Sequence, residues 1–361
     1  MMASDTTTDQ PFVQGPFVDR RNTARRAHLW LGLLLVLVSL ASLAVGASGT
    51  SLWGALLKLA QGDALTLTER VVLWDIRAPR LVMGICVGSA LAVSGAVMQG
   101  LFRNPLADPG ILGVTTGATL GAICVIVLGA TLPAFVQATL GAGPLPVAAF
   151  LGAWGSMLLL YRVSTRAGRT SVATMLLAGI ALSALFAAFS GVLIFLADDM
   201  QLRELTFWSL GSLAGASWVK LSIAAPVIVV SLMLACTLGH GLNGLALGEA
   251  AAHHMGIPVE RTKTIAILAV SAATGTAVAV SGGIGFIGIV VPHLLRLATG
   301  PDHRGLLVNA GLLGASLLLA ADMIARVVVS PAELPIGILT ALLGSPVFLW
   351  ILLRKRGLVD M

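Results

Sequence analysis

In this chain of 361 residues, Gly283-Ile-Gly285-Phe-Ile-Gly288 has spacing that could do chemistry. GxGxxG cradles a pyrophosphate where a strand turns into a helix of a βαβ unit. Here the pattern lies between two long apolar runs, so it predicts a tight turn and a close helix contact instead. Asp322 and Arg326 are four residues apart and share a helix face, which predicts an ion pair rather than a proton relay. His253-His254 offers two imidazoles with no further ligand nearby in sequence, so no metal site is assigned. Cys86, Cys124 and Cys236 all fall in apolar runs without CxxC spacing and read as small buried hydrophobes. A nucleotide-binding P-loop needs Gly-Lys-Ser/Thr, and none of Lys58, Lys220, Lys263 or Lys355 follows a glycine. The residues therefore assign no catalytic group and no cofactor to this chain.

The elements that carry these residues are set by composition. Apolar residues make up 57% and charged residues 11%, where a soluble domain carries about 25% charged. That excludes a soluble enzyme, and the long continuous runs do not fit the alternating strands of an outer-membrane barrel. Ten apolar segments fall at about 29–47, 80–102, 111–130, 145–161, 172–197, 219–239, 264–281, 284–298, 306–326 and 336–353. Each is near the length a membrane helix needs. The fold class is all-α: a polytopic membrane protein with ten transmembrane helices per subunit and both termini cytoplasmic. With that topology 15 of the 22 lysines and arginines fall inside, as the positive-inside rule requires. The net charge of +6 is then a matter of orientation, not of nucleic-acid binding.

Residues 1–27 are expected to form a disordered cytoplasmic tail and residues 28–356 a single transmembrane domain. The apolar run after Arg25-Arg26 is longer than a signal-peptide core, so it is expected to be retained as the first span. Ser281-Gly282-Gly283 predicts a sharp turn between the seventh and eighth segments. Gly84 and Gly88, and Gly113, Gly117 and Gly121, have the four-residue spacing that lets helix backbones approach closely. A cytoplasmic loop at 240–262 mixes Leu and Met with glycines and Pro258, which predicts short helical pieces and a surface that something covers. Asn104-Pro105 and Asp108-Pro109 predict a turn on the cytoplasmic side. Gly179, Ser183, Ala187 and Ser190 share a face of the fifth span, either for packing or as a smooth wall. An ion-coupled secondary transporter is the alternative of a different class, and it would need polar broken helices or intramembrane ion sites.

Three stretches together closely resemble one family. The first runs from Arg77-Ala-Pro-Arg80-Leu through Gly88-Ser-Ala-Leu-Ala-Val-Ser-Gly95 and Gln99 to Arg103-Asn104-Pro105-Leu106-Ala107-Asp108-Pro109. The second is Leu242-Asn243-Gly-Leu-Ala-Leu-Gly248-Glu249 with Met255-Gly256. The third is Gly283-Ile-Gly-Phe-Ile-Gly288, Val291-Pro292-His293, Arg296, Asp322, Arg326 and Glu333-Leu334-Pro335-Ile-Gly337. This combination resembles the FecCD family, the permease subunits of binding-protein-dependent ABC importers for iron-siderophores, haem and cobalamin. The likeness covers about residues 28–356.

The resemblance implies a homodimer in the bacterial inner membrane. It implies two ATP-binding cassette subunits docked on the cytoplasmic side, which use ATP and Mg, and a periplasmic substrate-binding protein outside. It implies that Asn243, Leu245, Leu247, Gly248, Glu249 and Gly256 contact the ATPase. It implies that Arg77, Arg80 and Arg326 pair with glutamates of the binding protein, and that Gly179, Ser183, Ala187 and Ser190 line the pathway. The stretch Leu202–Leu213 looks most like the haem-importing members. Arg203 beside aromatics suits a flat ring with carboxylates, which makes haem the expected cargo, with ferric siderophore next and cobalamin after it.

Overall fold

The computed structural model describes residues 20–46, 51–129, 144–329 and 332–359. Residues 1–19 of the expected tail lie outside the described residues. Residues 20–27 do not belong to a disordered tail. They form the first turns of helix α1 (Arg20–Ala44), continuous with the apolar run behind them.

After α1 come a short helix α2 (Leu52–Ala60) and α3, which runs unbroken over Leu67–Leu101 with a wide π-helical stretch at Val71–Arg77. A 3₁₀ turn at Pro109–Leu112 leads into α4 (Val114–Leu128). Helix α5 (Pro144–Ser164) joins α6 (Val172–Leu196) through a two-residue β-ladder, Thr165–Arg166 against Arg169–Thr170. Then follow α7 (Asp199–Ser209), α8 (Trp218–Thr237), α9 (Gly239–Ala246), α10 (Glu249–His254), α11 (Val259–Ser281), α12 (Ile287–Thr299), α13 (His303–Val328) and α14 (Ile336–Val359).

Caps explain several of these boundaries. Ser171 opens α6 by accepting from the Thr174 amide, and Asp198 with Gln201 forms a reciprocal capping box at α7. Among the described residues, α1, α3, α5, α6, α8, α11 and α13 are long and apolar enough to cross a membrane; α4, α12 and part of α14 are shorter apolar helices. Each of the ten apolar segments expected from sequence coincides with one of these. The extra helices α2, α7, α9 and α10 lie in the connections.

The core is built around α3 and α11. In their most apolar stretches 78% and 72% of residues are buried, against 6% for α1 and 11% for α6. Helix α3 packs along α13, and glycines set the distance. A Cβ built on Gly88 would lie 2.5 Å from the Gly314 carbonyl oxygen, and one on Gly95 would lie 1.9 Å from that of Gly288. The small-residue spacing is thus a packing device, as expected. The turn after α11 is also as expected: Gly282 has φ 72°, and an added Cβ would meet the Trp208 carbonyl oxygen at 2.1 Å. Three connections are laced there by backbone bonds, Ser212 N to Ser281 O (2.7 Å), Ile336 N to Gly211 O (3.0 Å) and Gly337 N to Leu210 O (2.9 Å).

One connection differs from expectation. Residues 103–113 do not form a purely cytoplasmic turn. Arg103 and Asn104 are exposed, but the chain then folds back into the bundle. The Gly113 carbonyl accepts from Ser156 Oγ at 2.8 Å. Ser156 lies eight residues before the end of α5, or about 12 Å inward at 1.5 Å per residue. The polar turn residues satisfy this re-entry themselves: Asn104 Oδ1 accepts from the Leu106 amide (2.9 Å) and Asp108 Oδ1 from the Gly110 amide (2.8 Å).

Candidate functional site

At the end of the bundle where α1 and α13 finish, three arginines converge. Arg77 sits in the π-helical stretch of α3, Arg80 one turn later, and Arg326 near the end of α13. Their exposures are 4%, 5% and 6%. Arg80 is held by two carboxylates: its Nη2 is 2.8 Å from Asp322 Oδ1, and its Nη1 and Nη2 reach Glu333 at 2.8 and 2.9 Å. Arg326 Nη2 lies 3.0 Å from Asp322 Oδ2 and donates to Ser42 Oγ at 2.9 Å. Arg77 Nη1 donates to the carbonyls of Leu43 (2.6 Å) and Ala44 (3.2 Å), the last residues of α1.

The i,i+4 pair expected between Asp322 and Arg326 is present. Arg77, Arg80 and Arg326, expected to be displayed to a binding protein, are here buried against groups of this chain. Desolvating a guanidinium is costly unless carboxylates and carbonyls replace its water. Here they do, and the glutamate that Arg80 meets is the chain's own. The cluster clamps α1, α3 and α13 together.

Arg203 is exposed on α7, with its guanidinium carbon 5.8 Å from the Phe207 ring centre. Asp198, Met200, Gln201 and Glu204 complete a cavity of about 400 Å³ around them. Trp208 packs against the core and does not join this group. On α6, Gly179 and Ser190 are buried, and Ser183 Oγ accepts from Thr116 Oγ1 of α4 at 3.3 Å. Those three residues pack towards the bundle in this chain. Ala187 alone of the stripe is exposed. The open face of α6 instead carries Leu177, Ile180, Leu185 and Phe189.

Two cavities lie between these regions. One, about 560 Å³, is bounded by Ser209, Leu210, Phe286 and the α14 residues Ile338, Ala341, Leu342 and Ser345. The other, about 320 Å³, brings Asp108, Thr115, Ser209, Thr274, Gly283 and Gly288 together. Placing Asp108 beside the end of α7 is a consequence of the re-entrant 103–113 segment.

At the opposite end the 240–262 loop folds as α9 and α10. Asn243 is tied inward: its Nδ2 donates to Asp302 Oδ1 (2.7 Å), and its Oδ1 accepts from the His303 amide (2.9 Å). Hydrogen bonds from Arg304, and more weakly from Asn243, hold the Asp302 carboxyl well below the usual carboxylate range despite partial burial. Leu245 is 3% exposed. Asn243 and Leu245, expected as contact residues, thus face inward and position the loop. Gly248 (φ 105°) and Gly256 (φ 76°) make the turns on either side of α10. Leu247, just before the first turn, and Met255, just before the second, stand out at 69% and 52% exposure. Glu249 is exposed but engaged, 2.7 Å from Lys263 Nζ.

Sequence reasoning missed Lys263, counted only as an inner-side charge. It is 2% exposed, the bulkiest of the fully buried side chains. It also missed Glu333 and Ser42 as partners of the outer arginines. A lysine within one turn of Glu260 at the head of an apolar helix was the available signal for the first. Nothing local marks the other two.

The FecCD transport family model matches residues 33–354. The chain is 45% identical over 333 residues to a hemin transport system permease protein, HmuU, of Yersinia pestis, covering 91% of this chain and 96% of the relative. It is 43% identical to a cobalamin import system permease protein, BtuC, of Halobacterium salinarum, covering 80% of this chain and 75% of that one. A vitamin B12 import system permease protein of Citrobacter koseri is 40% identical, covering 92% and 96%. A solved structure of an inward-facing metal-chelate type ABC transporter superposes with a TM-score of 0.79 at 32% identity, covering 91% of this chain and 99% of the other.

Proposed function

The chain belongs to the FecCD transport family as the permease subunit of an ABC importer, and we propose that its cargo is haem. The observation that carries this is Arg203 on α7, exposed and set over Phe207 in an open cavity. A guanidinium can hold a propionate while an aromatic face receives the porphyrin edge. The hemin permease relative at 45% identity supports the same reading. Cobalamin is the second reading, favoured by relatives at 43% and 40% identity.

In this account the subunit works as a homodimer in the bacterial inner membrane, with ten spans and both termini cytoplasmic. The open apolar faces of α6 (Leu177, Ile180, Leu185) and α14 (Leu342, Leu343) supply surface for a second copy. A periplasmic binding protein delivers haem to the end that carries α7. Two ATPase subunits cover Leu247, Met255 and Gly256 and use ATP and Mg, so this chain is a transport subunit and not itself the enzyme. Cargo is passed on rather than gripped. No histidine lines the two mid-bundle cavities among the described residues, so no strong axial bond to iron has to be broken in each cycle.

The test is uptake into vesicles carrying the permease, its ATPase and its binding protein, with trapped ATP. Haem should accumulate, and Arg203→Ala should reduce it while the complex still assembles. Uptake of cobalamin with none of haem would overturn the cargo assignment.

A further inference from the structure

Lys263 lies in the second turn of α11, and its environment is unusual for a lysine near a helix start. Its ammonium has three N–H donors, and all three are used. It donates to Glu249 Oε2 at 2.7 Å, to Glu260 Oε1 at 3.1 Å and to the Thr170 carbonyl at 2.8 Å. Glu260 reaches further, its Oε2 accepting from the Thr170 amide at 2.8 Å. Both backbone groups of Thr170 are therefore held by one acid–base pair, and Thr170 is itself buried.

The three partners belong to three different pieces. Glu249 opens α10, the piece flanked by the exposed Leu247 and Met255. Glu260 and Lys263 belong to α11, which runs through the core. Thr170 ends the β-ladder and immediately precedes Ser171, the N-cap of α6. Helix α10 has six residues and buries only Ala252 of its own, so its position depends heavily on this bond. A force on α10 reaches the first turn of α6 through a single buried ammonium. A displaced α10 must either draw the ammonium, and with it Thr170 at the head of α6, along with it, or give up the shorter of the two carboxylate bonds of a buried charge and leave Glu260 to hold it alone, and removing a partner of a buried charge is disfavoured.

We propose that Lys263 is the positioning residue that transmits movement of the α9–α10 loop to α6. This rests on the importer reading above and deepens it. Lys263 touches neither cargo nor the ATPase; it makes the loop and the α5–α6 connection move as one. The reading of Glu249 as an ATPase contact changes accordingly. Its carboxylate faces inward to the clamp, and the exposed Leu247 and Met255 are left as the partner's surface.

The experiment uses the full complex in vesicles, reading ATPase co-purification, basal hydrolysis, and haem taken up per ATP hydrolysed. Lys263→Met should keep the ATPase bound and hydrolysing while uptake per ATP falls by about five- to 150-fold, the ordinary range for coupling between sites. Lys263→Arg, which keeps the charge, should restore much of that ratio. Glu249→Gln, which keeps shape and loses the stronger bond, should fall between wild type and Lys263→Met. If Lys263→Met does not assemble, the other two variants decide. An unchanged uptake-to-hydrolysis ratio in Glu249→Gln, or parallel loss of hydrolysis and uptake in every variant, overturns the proposal. Failure of wild type to retain an ATPase or to import anything refutes the importer reading instead.

Discussion

The two ends of the bundle each bury a cation cluster, and they use it differently. At the outer end Arg80 and Arg326 share Asp322, a carboxylate with no exposure, and Arg77 closes on the last carbonyls of α1. Apart from Glu333, which lies in the connection before α14, every group there sits on, or at the end of, a long helix. At the inner end one ammonium, Lys263, meets two half-exposed glutamates and a hairpin carbonyl. Two of its partners, Glu249 of α10 and Thr170 of the β-ladder, belong to short pieces, while Glu260 shares α11 with it, and the surface beside α10 is apolar and open. A buried charge makes a joint in both places. What it joins decides whether the joint is a fixed brace between long helices or a pin that holds small pieces to one long helix.

The sharpest way to break this comparison is Asp322→Ala. It takes from Arg326 its carboxylate and leaves Arg80 with Glu333 alone, and removing one partner of a buried pair costs about 3–5 kcal/mol. The purified permease should lose most of its thermal stability, measured as monodisperse protein surviving heating. A variant as stable as wild type would show that the outer cluster is not a brace. Leu247→Asp should do the reverse at the inner end. That side chain is exposed, so stability should change by no more than about 0.5 kcal/mol, while ATPase recovered with the permease should fall sharply. Full recovery would mean that the apolar surface there has no cover.

Arg203→Ala should lower haem uptake by about tenfold, since a hydrogen bond to a charged group contributes about 1.5–3 kcal/mol. Arg203→Lys should recover part of it, because charge persists without the two-pronged fork. Unchanged uptake in Arg203→Ala would remove the residue from the mechanism. The smallest effect is expected at a partly exposed pair, Lys58–Glu69 at 2.7 Å. Lys58→Ala should cost about 0–1 kcal/mol, with the lower end at high salt. A loss comparable to that of Asp322→Ala would erase the distinction between buried and exposed pairs.

Much of the framework was legible in the sequence, because hydropathy is a local property. The ten apolar segments fall on ten helices, the turn forms at Gly282, and Asp322 pairs with Arg326 at i,i+4, all signals contained within a few residues. Partners that are distant in sequence were not legible. Arg80 and Glu333 are 253 residues apart, and Lys263 and Thr170 are 93 apart. Without those partners the arginines read as free rim charges and Lys263 as one more inner-side cation. The 103–113 segment read as a cytoplasmic turn because its Asn-Pro and Asp-Pro pairs signal turns equally well at a surface or inside a bundle. The α6 stripe shows the same limit: its small residues marked a special face, but only packing shows that the face meets α4.

The measurement that tests the account most directly is ATP hydrolysis and haem accumulation in vesicles containing the permease, its ATPase and the haem-loaded binding protein. Haem-loaded binding protein should stimulate hydrolysis, and haem should appear inside in proportion. Stimulation and uptake with cobalamin or a ferric siderophore, and none with haem, would contradict it.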